Sequence, residues 1–198
     1  MGASWRPRRA EFVAGAADIN RLPSPGLPEI AVAGRSNVGK SSLLNRLVGR
    51  HALARVSKTP GRTQQINLFA IDEAFLLVDL PGYGFARVPL SVKERWRTLV
   101  EGYLTRRRTL RGVVVLVDVR RGLEADDAQL LDFLSAHAIR SLVVVTKIDK
   151  LARGPGQRRL AQIRAQPHGT GAIAFSAVTG DGTAELWSAL RALLGARR

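Results

Sequence analysis

Five apolar runs, at residues 30–33, 75–79, 113–118, 142–146 and 172–176, are separated by stretches with helical apolar spacing. Runs that are apolar throughout, rather than alternating, predict strands buried on both faces, as in a parallel sheet. The helical patterns fall at 40–48, 91–107, 126–137, 156–164 and 183–194. Strands alternating with helices predict βαβ units, hence an α/β fold with a doubly wound, mostly parallel sheet and helices on both faces. Residues 65–70 add an edge strand and bring the expected sheet to six. Prolines 23, 25 and 28 punctuate the approach to the first apolar run. Residues 1–22 are therefore expected to form a basic, flexible extension and residues 23–198 a single domain.

The charge balance narrows the partners. Thirty-one Lys and Arg against 16 Asp and Glu leave +15, with a pI near 11.6, which points to a polyanion. An arginine-rich genome accounts for the choice of residue better than for the net excess. No apolar run approaches the roughly 20 residues that cross a bilayer, and MGASWRPRRA has no apolar stretch behind its arginines. With no cysteine, disulfides and thiolate metal sites are excluded. A cytoplasmic protein is expected.

Directly after the first apolar run comes GRSNVGKSS, residues 34–42. A strand, a glycine-rich turn and a helix start converge backbone N–H groups and a positive dipole end on one point, which suits a polyphosphate. Gly34, Arg35, Ser36, Asn37, Val38 and Gly39 form the turn. Lys40 is placed to reach β- and γ-phosphates, and the Ser41 hydroxyl to ligate Mg²⁺. DLPG, Asp79, Leu80, Pro81 and Gly82, ends the second run. A carboxylate there lies on the ligand edge of such a sheet, where Asp79 can hold magnesium while the Gly82 N–H faces the γ-phosphate. Each motif alone is also a good turn.

TKID, Thr146, Lys147, Ile148 and Asp149, follows the fourth run. An aspartate in this position accepts from both N1–H and the N2 amine of guanine; adenine lacks that donor pair, so Asp149 selects GTP over ATP. The Lys147 stem packs on base and ribose. FSA, Phe175, Ser176 and Ala177, ends the next run and offers amides to guanine O6. The order and spacing of the four motifs, each after a predicted strand, point to a GTP/GDP site.

GRSNVGKSSLLN, SKTPGRTQQIN, DLPGYGFA, the helix carrying Trp96 and Tyr103, and TKIDK together resemble the EngB (YihA/YsxC) family of bacterial ribosome-biogenesis GTP-binding proteins, within the translation-factor class of P-loop GTPases. The resemblance runs from about Phe12 to Leu194. It implies a P-loop GTPase fold, GTP hydrolysis with Mg²⁺, a role in assembling the large ribosomal subunit through its rRNA, and an association with cell division and septation. A monomer away from membranes is expected. Carried across, Gly61, Arg62, Thr63, Gln64 and Gln65 form the switch I segment. Thr63, rather than Thr59, joins Ser41 and Asp79 on the metal. Lys40, Thr63, Gly82 and Asn37 are the candidate catalytic residues.

Two departures from GTPases at large matter. Thr146 stands where many have asparagine, and the loss of an amide fork predicts modest nucleotide affinity. Tyr83 follows DLPG in place of a water-orienting glutamine, so intrinsic hydrolysis is expected to be slow and assisted. In related GTPases an asparagine at the Asn37 position helps ligate K⁺; the alternative is an asparagine chosen because it tolerates the left-handed region. Ten basic residues between Arg87 and Arg121 (Arg87, Lys93, Arg95, Arg97, Arg106, Arg107, Arg108, Arg111, Arg120 and Arg121) stand against three acids (Glu94, Glu101 and Asp118), and suggest an RNA-contacting block that includes the helix after switch II, the segment that opens with DLPG. An alternative reading is an RNA-binding module that holds GTP structurally and hydrolyses little of it.

Overall fold

The computed structural model describes residues 7–49, 65–84 and 90–195, with side chains from Glu94 onward in the last stretch. Strands β1 (Ala10–Ala16), β2 (Glu29–Gly34), β3 (Ile66–Ile71), β4 (Phe75–Asp79), β5 (Leu110–Asp118), β6 (Ser141–Thr146) and β7 (Ile173–Ala174) form one sheet. Its order is β1-β3-β4-β2-β5-β6-β7, with β4, β2, β5, β6 and β7 parallel and the β1–β3–β4 end antiparallel. The helices are α1 (Lys40–Val48), α2 (Leu90–Arg106), α3 (Ala125–Ala136), α4 (Arg153–Arg164) and α5 (Thr183–Gly195).

The doubly wound α/β arrangement expected from the sequence is present, with three differences. The sheet has seven strands, not six. Residues 10–16, expected within a flexible extension, pair instead with β3 from Ala10↔Ile71 to Ala16↔Ile66. That pairing moves β3 inside and makes β1 the edge. Helix α4 begins at Arg153, before Gly154, Pro155 and Gly156; a proline in the first turn removes only an N–H that has no helical partner.

The period of two in the strands divides the core. Ala31, Ala33, Val113, Val115, Val117, Val143 and Val145 face the layer of α2, α3 and α4, where Leu104, Leu134 and Ile163 meet them. Ile30, Val32, Val114, Leu116 and Val144 face α1 and α5, against Leu44, Leu47, Leu186 and Trp187. Burying a side chain of this kind contributes roughly 1.5–3 kcal/mol, so both faces must be covered for these runs to be strands at all. Strand β2 lies central, with α1 leaving its end toward one layer and α2 following β4 into the other. That reversal places the glycine-rich turn in the crevice at the C-terminal edge.

At the opposite edge Glu29 is fully buried. Its Oε1 accepts from Arg107 Nε (2.7 Å) and Thr109 Oγ1 (2.5 Å), and its Oε2 from Tyr103 OH (2.8 Å). Arg107 Nη1 also donates to Pro23 O (2.7 Å). These bonds tie the start of β2, the end of α2 and the approach to β5 into one polar knot. Arg107 is thus a structural residue and not part of an RNA-contacting surface, a correction to the sequence reading.

Candidate functional site

The glycine-rich turn leaves β2 at Gly34 and enters α1 at Lys40. Gly39 sits at the helix N-cap with φ +112°, a conformation that L side chains rarely adopt. Asn37 is left-handed as well, at φ +61°, so the geometric reason for an asparagine there holds. Its carbonyl accepts from Lys147 Nζ at 2.6 Å. The first-turn amides of α1 have no helical carbonyl behind them and, with the dipole end, face the turn's concavity. Two loop amides are committed elsewhere, Ser36 N to Tyr83 O (3.0 Å) and Val38 N to Arg35 O (3.1 Å).

Asp79 ends β4 beside this turn, 5% exposed. Its Oδ1 lies 3.7 Å from Lys40 Nζ, yet forms no hydrogen bond among the described residues. Burial pushes the Asp79 carboxyl above its ordinary range, and Lys40 pulls it partly back. A buried carboxylate oxygen without a hydrogen bond among the described residues, next to a lysine and a loop of amides, fits a hard cation. One carboxylate and the Ser41 hydroxyl suffice for Mg²⁺, which is commonly held by one or two carboxylates, water and phosphates. Gly82 stacks against the loop so closely that a Cβ there would sit 3.3 Å from Ser36 Cα. Thr63, with Gly61, Arg62 and Gln64, lies outside the described residues. Gln65 is exposed just before β3.

The base-reading side is built on the ends of β6 and β7. Thr146 is buried, and its hydroxyl lies 2.7 Å from Val38 O and 3.2 Å from Val117 O. The threonine therefore anchors the phosphate loop to β6. Lys147, at φ +61°, spans the site: besides Asn37 O, its Nζ lies 3.0 Å from Asp118 Oδ2. Burial disfavours the charged form of Asp118, but hydrogen bonds from Arg120 and Lys147 outweigh it and hold the carboxyl well below the usual range. The Asp149 carboxylate accepts from Ser176 Oγ at 2.7 Å, which orients it before any base arrives. Of the three FSA amides, Phe175 N is bonded to Val145 O (2.8 Å) and Ser176 N to Asp181 O (3.0 Å). Ala177 alone of the three keeps its amide for a ligand.

Sequence reasoning missed three contacts that hold the site together. Tyr83 OH donates to Asp127 Oδ1 (2.7 Å), and both groups are buried. Arg35 Nη1 reaches Glu124 Oε2 (2.7 Å) and Asp126 Oδ2 (3.1 Å). Trp96 Nε1 donates to Pro81 O (2.8 Å) and its ring meets Tyr83 edge-on at 5.7 Å. The first turn of α3 thereby grips both the phosphate loop and the start of switch II. Acidic residues at 124, 126 and 127 signalled only a helix start; nothing in them named Tyr83 or Arg35.

Residues 29–147 match the family model described as 50S ribosome-binding GTPase. A probable GTP-binding protein EngB from Solibacter usitatus is 48% identical over 189 residues, covering 96% of this chain and 98% of its own length. The one from Citrifermentans bemidjiense is 47% identical over 189 residues, covering 94% and 88%. The chain belongs to the EngB family of GTP-binding proteins. A solved structure of a probable EngB superposes with a TM-score of 0.67 at 27% identity, covering 84% of this chain and 98% of that one. As an EngB-family member the chain binds guanine nucleotides and is a GTPase. Era bound to MgGDPNP and a 16S rRNA segment shares the fold, at TM-score 0.63 and 21% identity.

Proposed function

We propose that this chain cycles between GTP and GDP as a switch in assembly of the large ribosomal subunit, contacting its rRNA, with a role in cell division and septation downstream of that. The observation that carries the switch is the Asp79 carboxylate, whose Oδ1 is buried without a hydrogen bond among the described residues, beside Lys40 and next to Gly82, which presses on the phosphate loop. Asp79 and Ser41, joined by Thr63, would hold Mg²⁺, which when bound neutralises and orients the terminal phosphates. Lys40 takes the β/γ-phosphate charge, and the Gly82 amide marks whether the γ-phosphate is present. Asp149, held by Ser176, reads the guanine edge.

Hydrolysis without a partner should be slow. Tyr83 occupies the glutamine position, and its hydroxyl is committed to Asp127, so it orients no water. Asn37, exposed on the loop, would contribute to a K⁺ site that stands in for an arginine finger; rates that are equal in matched KCl and NaCl would remove that role. The family model's description and the +15 charge support a ribosomal partner. Co-sedimentation with separated ribosomal subunits in the GTP-analogue, GDP and nucleotide-free states tests the reading. Binding to the large subunit that depends on the nucleotide is expected; equal pelleting in all three states, or none, defeats it. Multiple-turnover hydrolysis that stays negligible with subunits added would favour the RNA-binding module instead.

A further inference from the structure

The cations of this chain fall into two populations. Around the nucleotide edge many of the described cations are matched: Lys40 with Asp79, Lys147 and Arg120 with Asp118, Arg121 with Glu124, and Arg35 with Glu124 and Asp126. Arg97 on α2 is paired with Glu101. Arg95, also on α2, is exposed and forms no ion pair among the described residues. The opposite edge differs. Arg106 ends α2, Arg108 lies in the turn that follows, Arg111 is the second residue of β5, and Arg140 directly precedes β6. None of the four forms an ion pair among the described residues, and Arg106, Arg108 and Arg140 are exposed, Arg111 half-exposed.

The fold draws these four to one edge of the sheet. Leu110 N bonds Arg107 O (3.2 Å), closing the turn between α2 and β5, and Val113 N bonds Arg140 O (2.9 Å), so the starts of β5 and β6 are adjacent. Neighbouring strands are about 4.8 Å apart. The carboxylate built into this edge, Glu29, is fully buried and its oxygens are taken by Arg107, Thr109 and Tyr103. Arg107 is thereby spent on the knot, while its neighbours on either side are left charged and open.

We propose that this arginine pole, at the sheet edge opposite the nucleotide, is where the chain grips the phosphate backbone of ribosomal RNA; the proposal rests on the ribosomal reading above. The chemistry favours backbone contact over base reading. Guanidinium groups match phosphate geometry, and Tyr103, at the end of α2, is buried and bonded to Glu29. A membrane surface fits less well, because peripheral anchoring needs apolar groups beside the cations. The large exposed apolar side chains among the described residues, Phe12, Val13 and Val178, all lie elsewhere. Helix α2 connects the pole to the switch. Trp96, near the middle of this 17-residue helix, is bonded to Pro81, and Tyr103, two turns further on, to Glu29.

The test uses the full chain with all four arginines changed to Gln (R106Q/R108Q/R111Q/R140Q). A control carries Arg153→Gln and Arg158→Gln on α4, which also form no ion pairs among the described residues. Binding to purified large-subunit rRNA is measured from 50 to 200 mM KCl, with GTP affinity measured alongside. Each phosphate contact contributes about 0.7–0.9 to the salt slope. The pole variant is expected to lose about 3 of that slope and to bind more than tenfold more weakly at physiological salt. The control and the GTP affinity should stay close to wild type. If wild type binds rRNA and the pole variant binds equally, the proposal fails and the ribosomal reading stands. Equal losses in pole variant and control would mean diffuse attraction, and would also overturn it. If wild type does not bind rRNA, both fall. Binding of wild type to vesicles with anionic lipid at 150 mM salt that the pole variant lacks would assign the face to membrane instead.

Discussion

Tyr83→Phe removes one oxygen atom and isolates the bond between switch II and α3. Tyr83 is 6% exposed and Asp127 1%, with 2.7 Å between the hydroxyl and Oδ1. The other carboxylate oxygen, Oδ2, accepts from Glu124 N at 3.0 Å and is unaffected. The ring's edge contact with Trp96 and the Ser36 N to Tyr83 O bond are also kept. The variant therefore leaves one buried carboxylate oxygen without its donor, a loss of about 1–3 kcal/mol. In a chain of this size 1 kcal/mol corresponds to about 2–4 °C in Tm, so a fall of roughly 2–12 °C is expected at pH 8. The sign with pH follows from Asp127. Burial raises its carboxyl above the ordinary range, and the hydrogen bonds from Glu124 and Tyr83 partly restrain that. Without Tyr83 the rise is larger; a raised carboxyl begins to penalise the fold above its unfolded-state pKa, and the penalty is complete above its folded-state pKa. The destabilisation should therefore be smaller at pH 5 than at pH 8. Thermal unfolding of nucleotide-free wild type and variant at both pH values measures it. An unchanged Tm at pH 8, or the same loss at both, would show that the bond holds nothing.

Three further outcomes are expected. Asp149→Asn should shift preference from guanine to xanthine nucleotides in competition binding, and an unaltered preference would remove Asp149 from the base-reading role. Asp79→Asn should raise the Tm of the nucleotide-free protein at neutral pH while cutting magnesium-dependent GTP affinity at least tenfold. Burial raises this carboxyl, and that penalty is present above its folded-state pKa and absent in the amide; a lower nucleotide-free Tm would contradict it. Glu29→Ala strands the buried Arg107 guanidinium and should cost about 3–5 kcal/mol, read as a lower urea midpoint, whereas Arg108→Ala next door should cost almost nothing.

The core and the ligand edge were legible in the linear sequence because their signals are local. A run such as residues 113–118 can only be a strand buried on both faces; Gly39, Lys40 and Asp149 follow such runs and Asp79 ends one, at the spacing a strand-end site requires. Asn37 at φ +61° obeys the same local rule. What tertiary structure decided are pairings between residues far apart in sequence. Residues 10–16 carry no strong strand pattern, and became a strand because β3 offered an open edge. The Phe175 and Ser176 amides were spent on Val145 and Asp181, leaving Ala177. Arg107 and Arg108 are the same residue type side by side; one is sealed against Glu29, 78 positions away, and the other is left exposed. Composition counts both as +1. Only the fold determines which charge has met its counter-ion and which remains available to a partner, because that depends on distance through space, not along the chain.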